Sequence, residues 1–380
     1  MNLFFVHTPL QVLTAQNIVG QFKLKNNILV LSYTGERAAH YYKSFEILLI
    51  PALWDQTHKI GDLNNGIFNI KSHVHALSDF NKFNKKINSI LTTNKISDIY
   101  FGDINHLSYV YLAEKNKDKR LHFFEEGVSH YCTIVKNKRF NSSASVSLKK
   151  FITDKFIYEP NGVKGFSKYL YPTHNCEFGF NIYKRYSIIK QNEGVYDVHI
   201  PFHLYKSEAL NTIIENEKKL IGYNPLNYNV LYLSSTTSAD FSNPAEDEMD
   251  MFKEMLKGAN LAKLVVYLKY HPKDNNDKKK LITEYCTQNG IEYKELFMSV
   301  SLPIEIIYAD LNFSLIAGYD SSSLFYASEM SNALVVSLLP CLILKYRLKK
   351  IKNTLIEDIW NDMNNTYMRL FNKPLAQIPA

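Results

Sequence analysis

Short apolar runs punctuate the N-terminal half of the chain. Leu3–Val6, Ile28–Leu31, Ile99–Phe101 and Leu121–Phe124 are rich in β-branched or aromatic side chains, the pattern of strands buried in a sheet. Between them lie stretches such as Leu77–Leu91 with apolar residues at helical spacing. Strand–helix alternation on this scale predicts a parallel α/β sheet. From Tyr158 to Tyr223 the pattern loosens around Pro160, Pro172 and Pro201, which predicts connecting structure and a domain boundary near residue 190. A second alternating series follows. Strands are expected at Val230–Leu233, Leu264–Leu268, Leu311–Ile316 and Leu334–Leu338, with helices at Pro244–Leu256, Lys278–Asn289 and Leu324–Met330. The tail, Asn353–Phe371, is amphipathic and reads as one helix packing back across a domain. The expectation is two successive α/β units with a cleft between them, at 1–190 and 191–352, and a terminal helix within 353–380.

Composition narrows the class. With 380 residues, 46% hydrophobic and 21% charged, the chain has the balance of a globular protein with a full core, which excludes disorder and fibrous repeats. Four well-separated cysteines (Cys132, Cys176, Cys286, Cys341) form no C-x-x-C pair, so neither a zinc site nor a disulfide frame is indicated and a reducing cytoplasm is the simplest home. The N-terminus lacks the basic segment of a signal peptide. The longest apolar stretch, Ala333–Leu344, contains Pro340 and falls short of the ~20 residues of a membrane span. Lys345, Arg347, Lys349, Lys350 and Lys352 follow it. They read first as a solvated helix face and second as a peripheral contact with an anionic membrane surface, the inner face of a cytoplasmic membrane.

Several common sites are missing from the sequence. It has no G-x-x-x-x-G-K-[ST] loop, no G-x-G-x-x-G after a strand, no Asp-x-Asp, no H-E-x-x-H and no G-x-S-x-G. Pro201 separates His199 from His203, and that pair and His73/His75 read as structural or surface histidines.

Three places carry candidate chemistry. In Phe123-Phe124-Glu125-Glu126-Gly127 an apolar strand ends in two acids and a glycine, which puts carboxylates where a parallel sheet binds ligands and where desolvation suits a general base. In Tyr267-Leu268-Lys269-Tyr270-His271-Pro272 a strand ends in a histidine able to donate to a phosphate oxygen. Asp320-Ser321-Ser322-Ser323 opens a helix after a strand, a cap or an anion cradle. Upstream, Glu305 opens a further helix, as a dipole partner or a ribose ligand. Taken singly, each also has an ordinary structural reading.

These motifs, in this order and spacing, resemble those of bacterial sialyltransferases. The opening Phe4-Phe5-Val6-His7-Thr8-Pro9-Leu10-Gln11-Val12-Leu13 resembles the start of the capsular polysialyltransferases and the lipooligosaccharide sialyltransferases. The resemblance spans about residues 3 to 340. It implies a GT-B fold, with two Rossmann-like domains facing across a central cleft, the first acceptor-side and the second donor-binding. It also implies CMP-sialic acid as donor, inversion at the anomeric carbon and no metal cofactor. On the matching positions, Glu126 is implied as the base, with Glu125 the second choice because this chain has Glu-Glu where many relatives have Asp-Asp. His271, beside Pro272, would stabilise the leaving phosphate, Ser321, Ser322 and Ser323 would bind it, and Glu305 would hold the ribose. Thr8 and Gln11 of the opening are assigned to the acceptor.

The charge bears on which acceptor. Lys plus Arg is 44 against 37 acids, a net +7. Residues 115–155 hold ten of the bases and four of the acids, so this one segment carries nearly all the excess and brackets the proposed base. Lys136, Lys138 and Arg139 within it are assigned to the acceptor. A positive track suits a polyanion such as polysialic acid, while lysine-rich surface loops account for the same count. Elongation of capsular polysialic acid is therefore the leading expectation, with capsule assembly proteins among the expected contacts. The alternative is transfer of a single sialic acid to the galactose of a lipooligosaccharide. Two rivals stand further back. One is a two-domain sugar-nucleotide epimerase; the other is a non-enzymatic nucleic-acid binder, disfavoured by the modest charge and by Arg numbering only six.

Overall fold

The structure, a computed structural model, describes residues 1–33, 38–61, 70–102, 107–125, 155, 182–188, 198–234, 245–257, 263–271, 274, 276–297, 302–319, 321–348, 361, 362, 364 and 365. It divides into two compact units. Unit 1 takes Met1–Glu126, Val135–Ser187 and Val195–Ser207, and unit 2 takes Gly127–Ile134, Ile188–Gly194 and Glu208–Ala380.

Unit 1 is built on seven parallel strands. These are β1 (Asn2–Val6), β2 (Asn27–Tyr33), β3 (Gln56–Gly61), β4 (Asp98–Phe101), β5 (Arg120–Phe124), β6 (Ile182–Ser187) and β7 (Val198–His199), in the order β3-β2-β1-β4-β5-β6-β7. Helices α1 (Pro9–Gln21), α2 (Ala38–Leu48), α3 (Ile70–Thr93) and α4 (Leu107–Lys115) connect the first five. The central strands β1, β2, β4 and β5 are mostly apolar because both of their faces are covered. Leu3 and Phe5 pack with Phe83 and Ile87 of α3 and Leu112 of α4. On the other face Phe4 stacks on Tyr100 at 4.2 Å, and Tyr100 on His122 at 4.1 Å. All four expected strands are present here. β6 lies inside the stretch expected to be only connecting structure. Its mixed sequence, Ile-Tyr-Lys-Arg-Tyr-Ser, buries only Tyr186 and Ser187, so no apolar run marks it.

Unit 2 has five parallel strands, β8 (Tyr228–Leu233), β9 (Leu264–Lys269), β10 (Glu292–Glu295), β11 (Leu315–Gly318) and β12 (Leu334–Ser337), ordered β10-β9-β8-β11-β12. Its helices are α5 (Glu208–Leu220), α6 (Ala245–Lys257), α7 (Asn276–Gln288), α8 (Glu305–Tyr308), α9 (Ser323–Met330) and α10 (Leu339–Leu348). β11 begins later than the apolar run at Leu311 suggests. Leu311 and Phe313 are buried, but the Leu311 N–H closes back on Ile307 and the Ser314 N–H donates to Asn229. Core burial by a connecting segment thus imitates a strand. α5 also falls in the stretch read as connecting structure. It buries Leu210, Ile214 and Glu217 at helical spacing, a periodicity the sequence does carry. The expected terminal helix lies outside the described residues save 361, 362, 364 and 365, which are helical.

Each sheet runs outward from its first strand in both directions, the Rossmann-like layout. β1 sits between β2 and β4, and β8 between β9 and β11. The crevice of such a sheet opens at that reversal, beyond the strands' carboxyl ends. No described helix is long and apolar enough to cross a membrane.

Unit 1 carries a buried polar column whose titration has a definite sign. Asp98 accepts from Arg120 at 2.7 Å, Ser97 at 2.7 Å and His122 Nε2 at 2.9 Å, while Tyr186 O–H meets His122 Nδ1 at 3.3 Å. Burial pushes the His122 pKa below its ordinary 6.5, despite Asp98. Burial also acts to raise Asp98, but the hydrogen bonds from Arg120, Ser97 and His122 outweigh it and hold the carboxyl below 3.8. Both folded-state values are depressed, so below about pH 6.5 the unfolded chain binds protons that the folded chain refuses. Stability of unit 1 is expected to fall as pH drops below that point, and further below pH ~4. His122→Phe should flatten the upper part of this loss in urea unfolding at pH 5 against pH 8.

Candidate active site

The reversal in unit 1 brings the opening motif to the mouth of the sheet. Thr8 follows β1 and caps α1, its Oγ1 accepting from the Gln11 N–H at 3.3 Å, and Pro9 occupies the first turn of the helix, where no N–H is required. Gln11 is fully buried. Its Oε1 accepts from the His7 N–H at 2.8 Å and from Tyr109 O–H at 2.9 Å, and the His7 ring stacks on Tyr109 at 4.8 Å. The amide end lies against Gly102, just past β4, where a Cβ would sit 2.2 Å from Gln11 Nε2. A side chain there would have to displace the Gln11 amide. Gln11 therefore knits the ends of β1 and β4 together.

Glu125 lies directly past β5. It is fully buried, its N–H donates to the Tyr186 carbonyl at 3.2 Å, and its Oε2 accepts from Ser187 Oγ at 2.8 Å. A carboxylate held inside the sheet end by its neighbour strand is fixed in direction. Glu126, the first-choice base, lies outside the described residues, as do Lys136, Lys138 and Arg139. Of the basic segment's described members, Lys119 is paired with Asp118 at 2.7 Å and Arg120 with Asp98 at 2.7 Å. Part of the segment's positive charge is thus spent locally.

In unit 2 the two strands flanking β8 end in the other motifs. At a strand spacing of about 4.8 Å, the ends of β9 and β11 are roughly 10 Å apart. His271 is half-buried past β9. Pro272 and Asp320 lie outside the described residues. Past β11 the three serines divide their tasks. Ser321 Oγ accepts the Ser323 N–H at 3.3 Å, Ser322 makes no side-chain cap, and Ser323 Oγ donates to Glu305 Oε1 at 2.7 Å. Glu305, expected to hold a ribose, is only 4% exposed. Burial raises its pKa, against the hydrogen bond from Ser323. Glu305 and Ser323 thus bind each other and join α8 to α9. Gly318 lets β11 close on β8, since a Cβ would lie 2.9 Å from the Leu233 carbonyl oxygen.

The basic cluster after the apolar stretch is likewise partly committed. Lys345 on α10 pairs with Asp247 at 2.7 Å and with Asp250 of α6. Lys349, Lys350 and Lys352 lie outside the described residues.

A family model described as alpha-2,8-polysialyltransferase matches residues 2–339. The chain belongs to the alpha-2,8-polysialyltransferase family. No curated protein matches the chain. Among solved structures it is similar to a putative UDP-N-acetylglucosamine 2-epimerase from Listeria monocytogenes (11% identity, 94% of this chain and 90% of that one, TM-score 0.44). It is similar also to Acinetobacter baumannii MurG (9% identity, 99% and 85%, TM-score 0.42) and to a ugt transferase from Siraitia grosvenorii in complex with UDP (10%, 98% and 96%, TM-score 0.47). The family assignment rests on the family model.

For a polysialyltransferase-family chain, the site motifs leave four buried residues unmentioned: Ser234, Glu248, Asp274 and Lys278. Asp274 stands three residues after His271 and four before Lys278, a spacing that permits a turn closure and a helical ion pair. The burial of Lys278 has no such signal, since it opens a run of three lysines.

Gln11→Leu keeps the volume but removes the acceptor for the buried Tyr109 O–H and the part-buried His7 N–H, an unpaired buried donor costing about 1–3 kcal/mol. The expected result is a loss of about 2–4 kcal/mol in urea unfolding, with donor affinity of the remaining folded protein unchanged.

Proposed function

We propose that this polysialyltransferase-family chain moves sialic acid from CMP-sialic acid to a sialylated glycan acceptor, with inversion and without a divalent ion, elongating α2,8-linked polysialic acid. The observation that carries the reading is the family match across 2–339. Unit 2 supports it by presenting His271 and the Ser321–Ser323 turn at strand ends on either side of β8. In this reading the two units are the domains of a GT-B enzyme, unit 1 serving the acceptor and unit 2 the donor.

The chemistry is a single displacement. The acceptor hydroxyl oxygen attacks the anomeric carbon as the bond to the CMP phosphate breaks, and the hydroxyl proton passes to a carboxylate. We assign that proton to Glu126. Glu125 is buried and accepts from Ser187, which suits it to orient the strand end and keeps it the second choice. CMP departs as an anion, and His271 with Ser321 and Ser322 would donate to its phosphate, stabilising charge as it develops. Glu305, tied to Ser323, would hold the ribose or fix the serine turn that meets the phosphate. Thr8, Lys136, Lys138 and Arg139 are assigned to the anionic acceptor, whereas Gln11, assigned with them from the sequence, is buried with its Oε1 held by His7 and Tyr109 and would instead fix the turn that carries Thr8. The protein would work in a bacterial cytoplasm, with the lysines after α10 as a solvated face that could also meet the inner face of the cytoplasmic membrane.

Transfer assays in EDTA test this, with a sialylated oligosaccharide and a galactose-ended acceptor compared side by side. The expected outcome is CMP release with the sialylated acceptor, reduced about 10²–10⁴-fold by Glu126→Gln and strongly reduced by His271→Ala. Transfer to the galactose-ended acceptor alone would replace polymerisation with single addition. Absence of transfer to either would overturn the proposal.

A further inference from the structure

We propose that Asp274, Lys278, Glu248 and Ser234 form a buried positioning cluster that fixes the turn carrying His271. The inference rests on the donor role given to His271 above and deepens it.

The turn is closed from both ends by one residue. The Asp274 N–H donates to the His271 carbonyl at 2.9 Å, and the His271 N–H donates to Asp274 Oδ2 at 2.7 Å. An N–H bonded to a carboxylate is the stronger, charge-assisted kind, so Asp274 determines how the main chain leaves β9. The side chain of Asp274 is itself wholly buried and held on both oxygens. Lys278 Nζ donates to Oδ1 at 2.8 Å, and Ser234 Oγ to Oδ2 at 2.6 Å. Lys278, also buried, pairs as well with Glu248. Glu248 in turn accepts from Tyr232 O–H at 3.2 Å and Tyr319 O–H at 2.9 Å, and its Oε1 lies 2.9 Å from Ser234 Oγ, whose single proton the two carboxylates share. The ends of β8, β9 and β11 and the helices α6 and α7 thus meet on one carboxylate pair.

Stability alone is a weak reason for such a cluster. Replacing buried ions by apolar groups of similar volume is commonly neutral or stabilising. What an apolar cluster does not supply is a directional acceptor for the His271 N–H. A group that donates to a developing phosphate charge must be held within a fraction of an ångström, and a displacement of about 1 Å can cost about 10²-fold in rate.

A double-mutant cycle on the full chain, with CMP-sialic acid and a sialylated acceptor, separates positioning from structure. Asp274→Ala is expected to lower kcat by about 10²-fold when His271 is present and to change it little in the His271→Ala background. Donor KM should move far less than kcat. Asp274→Asn keeps an oxygen for the His271 N–H and should recover much of the loss. Thermal unfolding of each variant reports the folded fraction. Should Asp274→Ala not fold, the same cycle is run with Ser234→Ala, which removes one support of Asp274. Equal losses with and without His271, for the variant that folds, would overturn the inference and leave the cluster purely structural. No transfer by the parent chain would be a different failure, that of the donor reading itself.

Discussion

A parallel sheet covered on both faces has no wet side, and this confines its chemistry to the strand ends. Leu3–Val6 and Val230–Leu233 are almost wholly inaccessible, so polar function cannot be carried along those strands. It is displaced to where each strand hands over to a loop or helix. The motifs His7-Thr8, Glu125-Glu126, His271-Pro272 and Ser321–Ser323 each follow a strand of one sheet or the other, and Glu305 reaches Ser323 from α8. The reversal of strand order beside β1 and β8 then opens a space at those ends.

Four groups of buried ionisable side chains are tied into connected sets. Asp98 with His122, Glu125 with Ser187, Glu305 with Ser323, and Asp274 with Lys278 and Glu248 each join neighbouring strands or helices. Burial of a lone charge would cost several kcal/mol, and each set offsets that by hydrogen bonding. The sets lie at different depths. The Asp98–His122 column starts at the amino end of β4, whereas the other three lie at carboxyl ends, beside the residues proposed to act. Burial raises the pKa of Glu248 despite Lys278, and it raises that of Glu305 despite Ser323.

Much of this architecture was legible in the sequence because double-sided burial writes strands as unbroken apolar runs. The weak points share one cause: where burial is partial or comes from a loop, the run misleads. Ile182–Ser187 pairs in a sheet with only two buried side chains, and Leu311 and Phe313 are buried without belonging to a strand. The motifs themselves were legible as residue types at strand ends. Their connections were not. Nothing in the local sequence shows that Ser323 turns toward Glu305, that Gln11 is held between His7 and Tyr109, or that one lysine of three is drawn inside to reach Glu248. The packing of whole elements against one another decides each of these contacts.

Hydrogen exchange on the full chain with and without CMP tests the central claim most directly, because it reads where the nucleotide sits without requiring turnover. The account predicts slowed exchange at the amides of Tyr270–Asp274 and Ser321–Phe325, unchanged by EDTA, with unit 1 strands unaffected. Slowed exchange at the ends of β1 and β5 instead, or none in the presence of saturating CMP, would contradict it.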